Sequence, residues 1–224
     1  MPFSKMPIAW VTGASSGIGR ATALALATKG WRVAVSARRH DLLAELVAHN
    51  PTHMFAYPCD ITQPNQVQGV VAQMLTDLGR IDLALLNAGA YYPDQVRTLD
   101  IDHVKQQFDV NVFGTVVCLQ AVLPHMVQRN QGHIALMASV AGYNGLPKSF
   151  SYSATKAAVI NMGETLKVEL ANTNIKVQII SPGFIETPAT AQNAFKMPGL
   201  MKVEDAAEAL IKGLSRNRFE ILFP

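Results

Sequence analysis

Short apolar runs alternate with longer amphipathic stretches along the whole chain. The short runs are rich in Val, Ile, Leu and Ala and end in turn residues, which is typical of buried strands, whereas the longer stretches favour helices. Strands are predicted at residues 8–11, 31–36, 54–57, 81–86, 133–138 and 175–180, and residues 218–223 are a candidate seventh strand. Helices are predicted at residues 20–29, 41–50, 64–78, 102–129, 152–172 and 204–214, and Pro124 is expected to kink the fourth of these or to split off its last turn.

Regular alternation of strands and helices predicts the fold class. It favours an α/β fold with a doubly wound parallel sheet, helices on both faces and right-handed crossovers. Ligands of such sheets bind outside the carboxyl ends of the strands. Candidate chemistry is therefore sought in the residues that follow each predicted strand.

Composition narrows the class of protein. The 224 residues are 49% hydrophobic, so we expect one domain, spanning residues 1–224, with a sizeable core. The net charge is only +3 and the basic residues are scattered, so the sequence does not indicate a nucleic-acid-binding surface. Cys59 and Cys118 fall in predicted core elements and are expected to be buried thiols, and the six histidines show no metal-ligand spacing, so no metal is expected.

The sequence also bears on location. Before the first strand there is no long apolar stretch of the kind found in signal peptides. No apolar run reaches about 18 residues, so a membrane span is not expected. These observations predict a cytoplasmic protein.

A turn of small residues joins the first strand to the first helix. Glycines allow a pyrophosphate to approach the backbone, and the helix N-terminus offers free N–H groups and a positive dipole end. The spacing Gly-x3-Gly-x-Gly does not match the general dinucleotide fingerprint, so a tight turn without ligand is the alternative. The predicted cofactor contacts here are Gly13, Ser15, Ser16, Gly17, Ile18 and Gly19.

Arginines follow the second strand. An acidic residue at this place would bind a ribose 2′-hydroxyl and favour NAD, whereas Arg38 and Arg39 can bind a 2′-phosphate through charge-assisted hydrogen bonds. The alternative is a solvated basic pair at a helix start. The pair favours NADP over NAD.

Polar and small residues follow the third and fourth strands. Asp60, with Ile61 beside it, is predicted to contact an adenine, although Asp60 could instead cap the turn before Thr62. Asn87, Ala88 and Gly89 leave room for a flat ring or a sugar, or simply form a turn that needs glycine. For the aromatic residues Tyr91, Tyr92, Tyr143 and Phe184, pocket lining and ordinary loop packing both remain open.

Tyr152 and Lys156 carry the clearest catalytic signal. Their i, i+4 spacing places them on one helix face, where an ammonium is expected to lower the pKa of the phenol towards the range useful for proton transfer. Ser139 directly follows the fifth strand and can hydrogen-bond a substrate oxygen. Asn111 interrupts an apolar helix and can hold the lysine or a water, or be a satisfied core amide. Chance occurrence on a helix surface is the alternative for the Tyr–Lys pair.

Taken together, these segments resemble one known family. The chain is similar to the compact short-chain dehydrogenases/reductases over nearly its whole length. The resemblance rests on matching segments in the family's order, namely residues 12–19, 87–89 and 182–187 together with Asn111, Ser139, Tyr152 and Lys156. Leu86 departs from the pattern, because an additional Asn often precedes Asn-Ala-Gly in the family.

The resemblance implies a fold, a cofactor and an activity. It implies a Rossmann-like sheet of about seven strands in a dinucleotide-binding catalytic domain that transfers a hydride between NADP and a carbonyl or secondary alcohol. Tyr152 would be the general acid/base, Ser139 would orient the substrate oxygen, Lys156 would bind the nicotinamide ribose, and Asn111 would anchor a water. Nicotinamide contacts are expected from Pro182, Gly183, Ile185 and Thr187.

Two further expectations concern assembly and an alternative function. The family resemblance and the apolar helices suggest a homodimer or homotetramer. Because a fold does not determine a function, a non-catalytic nucleotide-binding regulatory or scaffold protein is one alternative, and epimerase or dehydratase chemistry at the same site is another. An intact Asn–Ser–Tyr–Lys group favours the enzyme.

Overall fold

All seven predicted strands form and pair in one parallel sheet. The computed structural model describes residues 6–193 and 195–224. The strands are β1 Ile8–Thr12, β2 Arg32–Ser36, β3 Met54–Ala56, β4 Leu83–Leu86, β5 Gly132–Met137, β6 Ile175–Pro182 and β7 Glu220–Phe223. The helices are α1 Gly17–Thr28, α2 His40–Ala48, α3 Pro64–Leu78, α4 Ile101–Phe108, α5 Gly114–Arg129, α6 Phe150–Glu169 and α7 Val203–Leu214.

Two apolar layers cover the two faces of the sheet. One layer contains Leu26, Leu43 and Leu210, which come from α1, α2 and α7. The other contains residues of α3, α5 and α6, such as Val122 and Val159. Helices on both faces require strands that are buried on both sides, and this explains why the strand sequences are continuous apolar runs. The predicted doubly wound architecture is confirmed.

The strand order sets the place where a ligand can bind. The order is β3-β2-β1-β4-β5-β6-β7, so β1 lies between β2 and β4. The connections that leave β1 and β4 therefore run in opposite directions, and a crevice opens between them at the carboxyl ends of the strands.

The long fourth helix differs from its prediction. It consists of α4, a π-helical segment at Asp109–Phe113 and α5. Pro124 lies inside α5, which continues to Arg129, so Pro124 does not split off the last turn, and the alternative expectation of a kink stays a prediction. Gln120, whose carbonyl loses its i+4 partner, is exposed, and water can satisfy that carbonyl. The interruption lies instead at the π-helical segment that contains Asn111.

This helical stretch also meets a simple criterion for membrane spans. Residues 101–129 form the one helix in the described chain that is long and apolar enough to cross a membrane, and an 18-residue window of this helix has a mean hydropathy of 1.6. Core helices of soluble proteins meet the same criterion. Here Cys118, Val122 and Met126 pack into the core beside the sheet, so the helix is weak evidence for a span.

Candidate functional site

A cavity of about 440 Å³ lies at the carboxyl ends of the central strands. Its wall includes every residue predicted to contact the cofactor except Gly19, and also includes Ser139 from the predicted catalytic group. Asn111 is not part of the wall. Residues that are distant in sequence are therefore brought together as expected, with two exceptions that have a structural reason.

The glycine turn has the backbone shape that a phosphate cradle needs. Gly13 has φ +66° and Gly17 has φ +55°, in the left-handed region that favours glycine. A Cβ atom on Gly13 would lie 2.7 Å from the Cα atom of Ala88. Ser16 at the N-cap of α1 makes no side-chain capping hydrogen bond. The N–H groups of the first turn therefore remain available to an anion at the cavity wall.

Gly19 packs against the side of this turn that faces away from the cavity, and it does not line the cavity. A Cβ atom on Gly19 would overlap Asn87 Nδ2 and lie 2.6 Å from the carbonyl oxygen of Gly13. Asn87 Nδ2 donates a hydrogen bond to Thr12 O at 3.0 Å, and the Ala88 N–H donates to Thr12 Oγ1 at 3.0 Å. Gly19 therefore has a packing role in this structure, and its direct contact with the cofactor stays a prediction.

The two arginines differ in what they contact. Arg39 Nη2 donates hydrogen bonds to Ser15 Oγ at 2.7 Å and to Ser16 Oγ at 2.8 Å, so its guanidinium lies across the glycine turn. Arg38 is exposed at the cavity wall and has no hydrogen bond or ion pair among the described residues. Its guanidinium is free to meet a ligand.

Asp60 caps its own turn while lining the cavity. Its Oδ1 atom accepts hydrogen bonds from the Thr62 N–H at 3.0 Å and from Thr62 Oγ1 at 2.8 Å. One carboxylate oxygen of Asp60 therefore caps the turn, as the alternative prediction held. Both Asp60 and Ile61 remain in the cavity wall.

Ser139, Tyr152 and Lys156 meet at the inner end of the cavity. The buried Lys156 Nζ atom donates a hydrogen bond to the Met137 carbonyl at 2.8 Å and lies 5.7 Å from the centroid of the Tyr152 ring. Ser139 Oγ accepts a hydrogen bond from the Ala141 N–H at 3.2 Å, which fixes the turn that follows β5. The Tyr91 ring packs edge-on against the Tyr152 ring, with the centroids 5.0 Å apart.

Burial dominates the protonation of this group. It raises the pKa of Tyr152 to about 12, although a hydrogen bond with Ser139 acts in the opposite direction. Burial also lowers the pKa of Lys156 to about 8. The prediction that Lys156 lowers the pKa of Tyr152 is wrong for this structure, because loss of solvent outweighs the other influences and the ammonium is bound to the Met137 carbonyl.

Asn111 holds the loop after β4. Its Oδ1 atom accepts from the Ala90 N–H at 2.7 Å, and its Nδ2 atom donates to Ala90 O at 2.9 Å and to Thr155 Oγ1 at 3.0 Å. No side-chain hydrogen bond to Lys156 is recorded among the described residues. The side chain is thus a satisfied core amide. Gly89 lies beside it, where a Cβ atom would be 3.2 Å from Asn111 Oδ1 and 3.5 Å from Lys156 Nζ.

A second, mainly apolar cavity of about 500 Å³ adjoins the first, and both share Ser139 and Tyr152. Tyr91 and Phe184 line it, so of the four loop aromatics these two are pocket residues. Tyr92 instead stacks on His103, and Tyr143 hydrogen-bonds Ser181. Sequence reasoning missed the lining residues Leu146, Pro147, Phe195 and Pro198, because loops carry no periodic signal.

Thiols and metal ligands complete the inventory of reactive groups. Cys59 and Cys118 are free and buried, as predicted, and Cys59 forms part of the first cavity's wall. Within residues 6–193 and 195–224, His, Cys, Asp and Glu form no cluster of three that could hold a metal ion.

Comparison with known proteins shows the family. The family model for short-chain dehydrogenases matches residues 7–197. An uncharacterized oxidoreductase of Myxococcus xanthus is 38% identical over 224 residues, which cover 96% of this chain and 87% of the relative. A short-chain dehydrogenase/reductase from Burkholderia phymatum in complex with NAD superposes with a TM-score of 0.90 at 25% identity, covering 99% of this chain and 90% of that one.

A third relative carries the other nicotinamide cofactor. The closed form of a serine dehydrogenase complexed with NADP+ superposes with a TM-score of 0.87 at 26% identity, and the match covers 96% of this chain and 94% of that one. Both cofactors thus occur among similar structures. The chain belongs to the short-chain dehydrogenase/reductase family and is an oxidoreductase enzyme of that family.

Proposed function

We propose that this enzyme is NADP-dependent and transfers a hydride between the nicotinamide and a carbonyl or secondary alcohol, with Tyr152 as the general acid/base. The observation that carries the proposal is the meeting of two cavities at Ser139 and Tyr152. One cavity has a glycine turn and a helix N-terminus, and the other has apolar walls. A dinucleotide and an organic substrate would thus meet at the two hydroxyls.

The residues present fit a dinucleotide. The left-handed glycines leave space against the backbone, and the open N-terminus of α1 supplies donors for the pyrophosphate. Pro182, Gly183, Ile185 and Thr187 line the same cavity near Lys156 and would contact the nicotinamide end. When bound, the nicotinamide would supply or accept the hydride.

Protonation of the catalytic group suits carbonyl reduction. With a pKa of about 12, Tyr152 is protonated at neutral pH and can donate its proton to an oxygen that gains negative charge. Ser139 would donate a second hydrogen bond to that oxygen. Lys156, held by the Met137 carbonyl, would direct its remaining N–H groups to the ribose. Asn111 would act by fixing the loop at Ala90, to which its side-chain amide both donates and accepts.

Substrate preference is the direct test of the proposed activity. We expect NADPH oxidation with aryl and long-chain ketones or aldehydes to have a kcat/KM at least about 10-fold above that with acetone or pyruvate, since each buried methylene contributes about 0.8 kcal/mol. Spectrophotometric assays at 340 nm over a graded panel of carbonyls would measure it. The proposal fails if no carbonyl compound in the panel oxidises NADPH above the rate without enzyme.

Cofactor choice can be tested at the two arginines. Arg38→Gln should raise the Kd for NADPH by about 10-fold or more and leave the Kd for NADH nearly unchanged, because a charge-assisted hydrogen bond contributes about 1.5–3 kcal/mol. Arg39→Gln is the comparison variant and should weaken both cofactors, since Arg39 braces Ser15 and Ser16. Fluorescence titration measures both constants. Equal losses for NADPH and NADH in Arg38→Gln would refute the 2′-phosphate role.

Assembly and location complete the proposal. Large apolar side chains are exposed on the outer helices, with Phe113 58% exposed, Phe150 53% and Val168 75%. Such surface supports a homodimer or homotetramer, which light scattering at micromolar concentration would test. We further propose that residues 1–224 act as one catalytic domain in the cytoplasm.

A further inference from the structure

Helix α6, which carries Tyr152, begins without a local cap. Ser149 at its N-cap makes no side-chain capping hydrogen bond, and the first turn contains no acidic residue. A helix start leaves backbone N–H groups without partners inside the helix, and buried ones need acceptors. Here the acceptor comes from far along the chain, because the Ser151 N–H donates to Asp94 Oδ2 at 2.8 Å.

The Asp94 carboxylate is buried and is held by hydrogen-bond donors. Besides the Ser151 N–H, its Oδ2 atom accepts from the Ser151 hydroxyl, and its Oδ1 atom accepts from Gln107 Nε2 at 3.3 Å. No cation pairs with it among the described residues. A buried carboxylate is tolerated when donors and a helix N-terminus compensate for lost water, and both are present here.

The same network fixes the loop that carries Tyr91. Gln107, which is fully buried in α4, accepts from the Tyr92 N–H at 3.1 Å and donates to Tyr92 O at 3.2 Å and to the Ser151 hydroxyl. The Asp94 N–H donates to Lys148 O at 3.1 Å. Residues 91–94, α4 and the start of α6 are therefore joined through one buried set of polar groups.

We propose that Asp94 is a positioning residue for the reaction. Through Gln107 and Ser151 it fixes the start of α6 and the loop before α4, and thereby holds the Tyr152 hydroxyl beside Ser139 and the Tyr91 ring against Tyr152. The inference rests on the proposed function of Tyr152. The cavity wall contains neither Asp94 nor Gln107, so both act without touching substrate or cofactor.

Asp94→Asn tests the proposal with little change in shape. The asparagine amide nitrogen must face either the Ser151 donors or Gln107 Nε2. In either orientation two donors face each other where the parent has a hydrogen bond. Asp100→Asn is the matched control, because Asp100 caps α4 by accepting from the Asp102 N–H but is exposed, and asparagine caps equally well there.

The effects of Asp94→Asn on catalysis and on local structure are measured separately. In Asp94→Asn, kcat for carbonyl reduction should fall about 10-fold or more, while the Kd for NADPH stays within about twofold, since small displacements of reacting groups are costly. Hydrogen exchange of peptides that cover residues 150–156 should become faster. In a Tyr152→Phe background the same change should lower the residual rate by less than about twofold, because the group that it positions is gone. Asp100→Asn should match the parent in all three measurements.

Two results would overturn the proposal. One is unchanged exchange at residues 150–156 in Asp94→Asn. The other is a loss of rate that is as large in the Tyr152→Phe background as in the parent, which would indicate general destabilisation. If the parent reduces no carbonyl, the proposed function fails, and the exchange experiment still decides whether Asp94 fixes the helix start.

Discussion

Tyr152→Phe is expected to lower the single-turnover rate of carbonyl reduction by about 10²–10⁴-fold, the usual contribution of a positioned general acid. The substitution removes only the hydroxyl, and the ring keeps its edge-on contact with Tyr91. The Kd for NADPH should therefore change by less than about threefold, since the glycine turn and the arginine pair are untouched. Stopped-flow absorbance at 340 nm measures the rate, and fluorescence titration measures the binding.

Tyr143→Phe is the matched control for this prediction. Its hydroxyl hydrogen-bonds Ser181 Oγ at 2.8 Å, outside the walls of both cavities, so its loss should leave the rate of reduction within about twofold of the parent. A Tyr152→Phe variant that transfers hydride as fast as the parent would show that another group donates the proton.

Gly19→Ala is expected to raise the Kd for NADPH by about 100-fold or more. The added methyl group would overlap Asn87 Nδ2 and the Gly13 carbonyl, and neither can move without displacing the turn that forms the cradle. Overpacking of this kind commonly costs about 1–3 kcal/mol in stability as well. Fluorescence titration with NADPH and thermal unfolding followed by circular dichroism would measure both effects.

Gly69→Ala provides the comparison for Gly19→Ala. Gly69 also lies inside a helix, but beyond the backbone of its own helix no heavy atom lies within 4 Å of its added Cβ. The change should raise stability by about 0.5–1 kcal/mol through helix propensity and leave cofactor binding unchanged. If Gly19→Ala bound NADPH as tightly as Gly69→Ala does, the packing role of Gly19 would be refuted.

Periodicity predicted the fold well because the elements are buried on recognisable faces. All seven strands lie where continuous apolar runs predicted them, and α3 has the predicted bounds. The π-helical segment at residues 109–113 has no periodic signal of its own, and its Asn111 bonds Ala90, which lies 21 residues away in the chain. Pro124 stays within α5, because Gln120 is exposed and water can bond the carbonyl that proline leaves without an N–H partner.

The site was predictable as a set of residues but not as an environment. Strand ends indicated which side chains would gather around the first cavity. Burial, which sets the pKa of both Tyr152 and Lys156, follows from the assembled core and has no local signature. The Asp94–Ser151 contact spans 57 residues, and no short motif marks it.

The origins of the two cavity walls have a consequence for the diversification of this protein. The nucleotide side is built largely from the ends of sheet strands, whereas the apolar side takes Leu146, Pro147, Phe195 and Pro198 from connecting segments that carry no strand pairing. Replacements in those segments can change which substrates bind while the position of the nicotinamide cofactor stays the same. Directed libraries confined to residues 146–147 and 195–198 would therefore retune selectivity with little risk to folding.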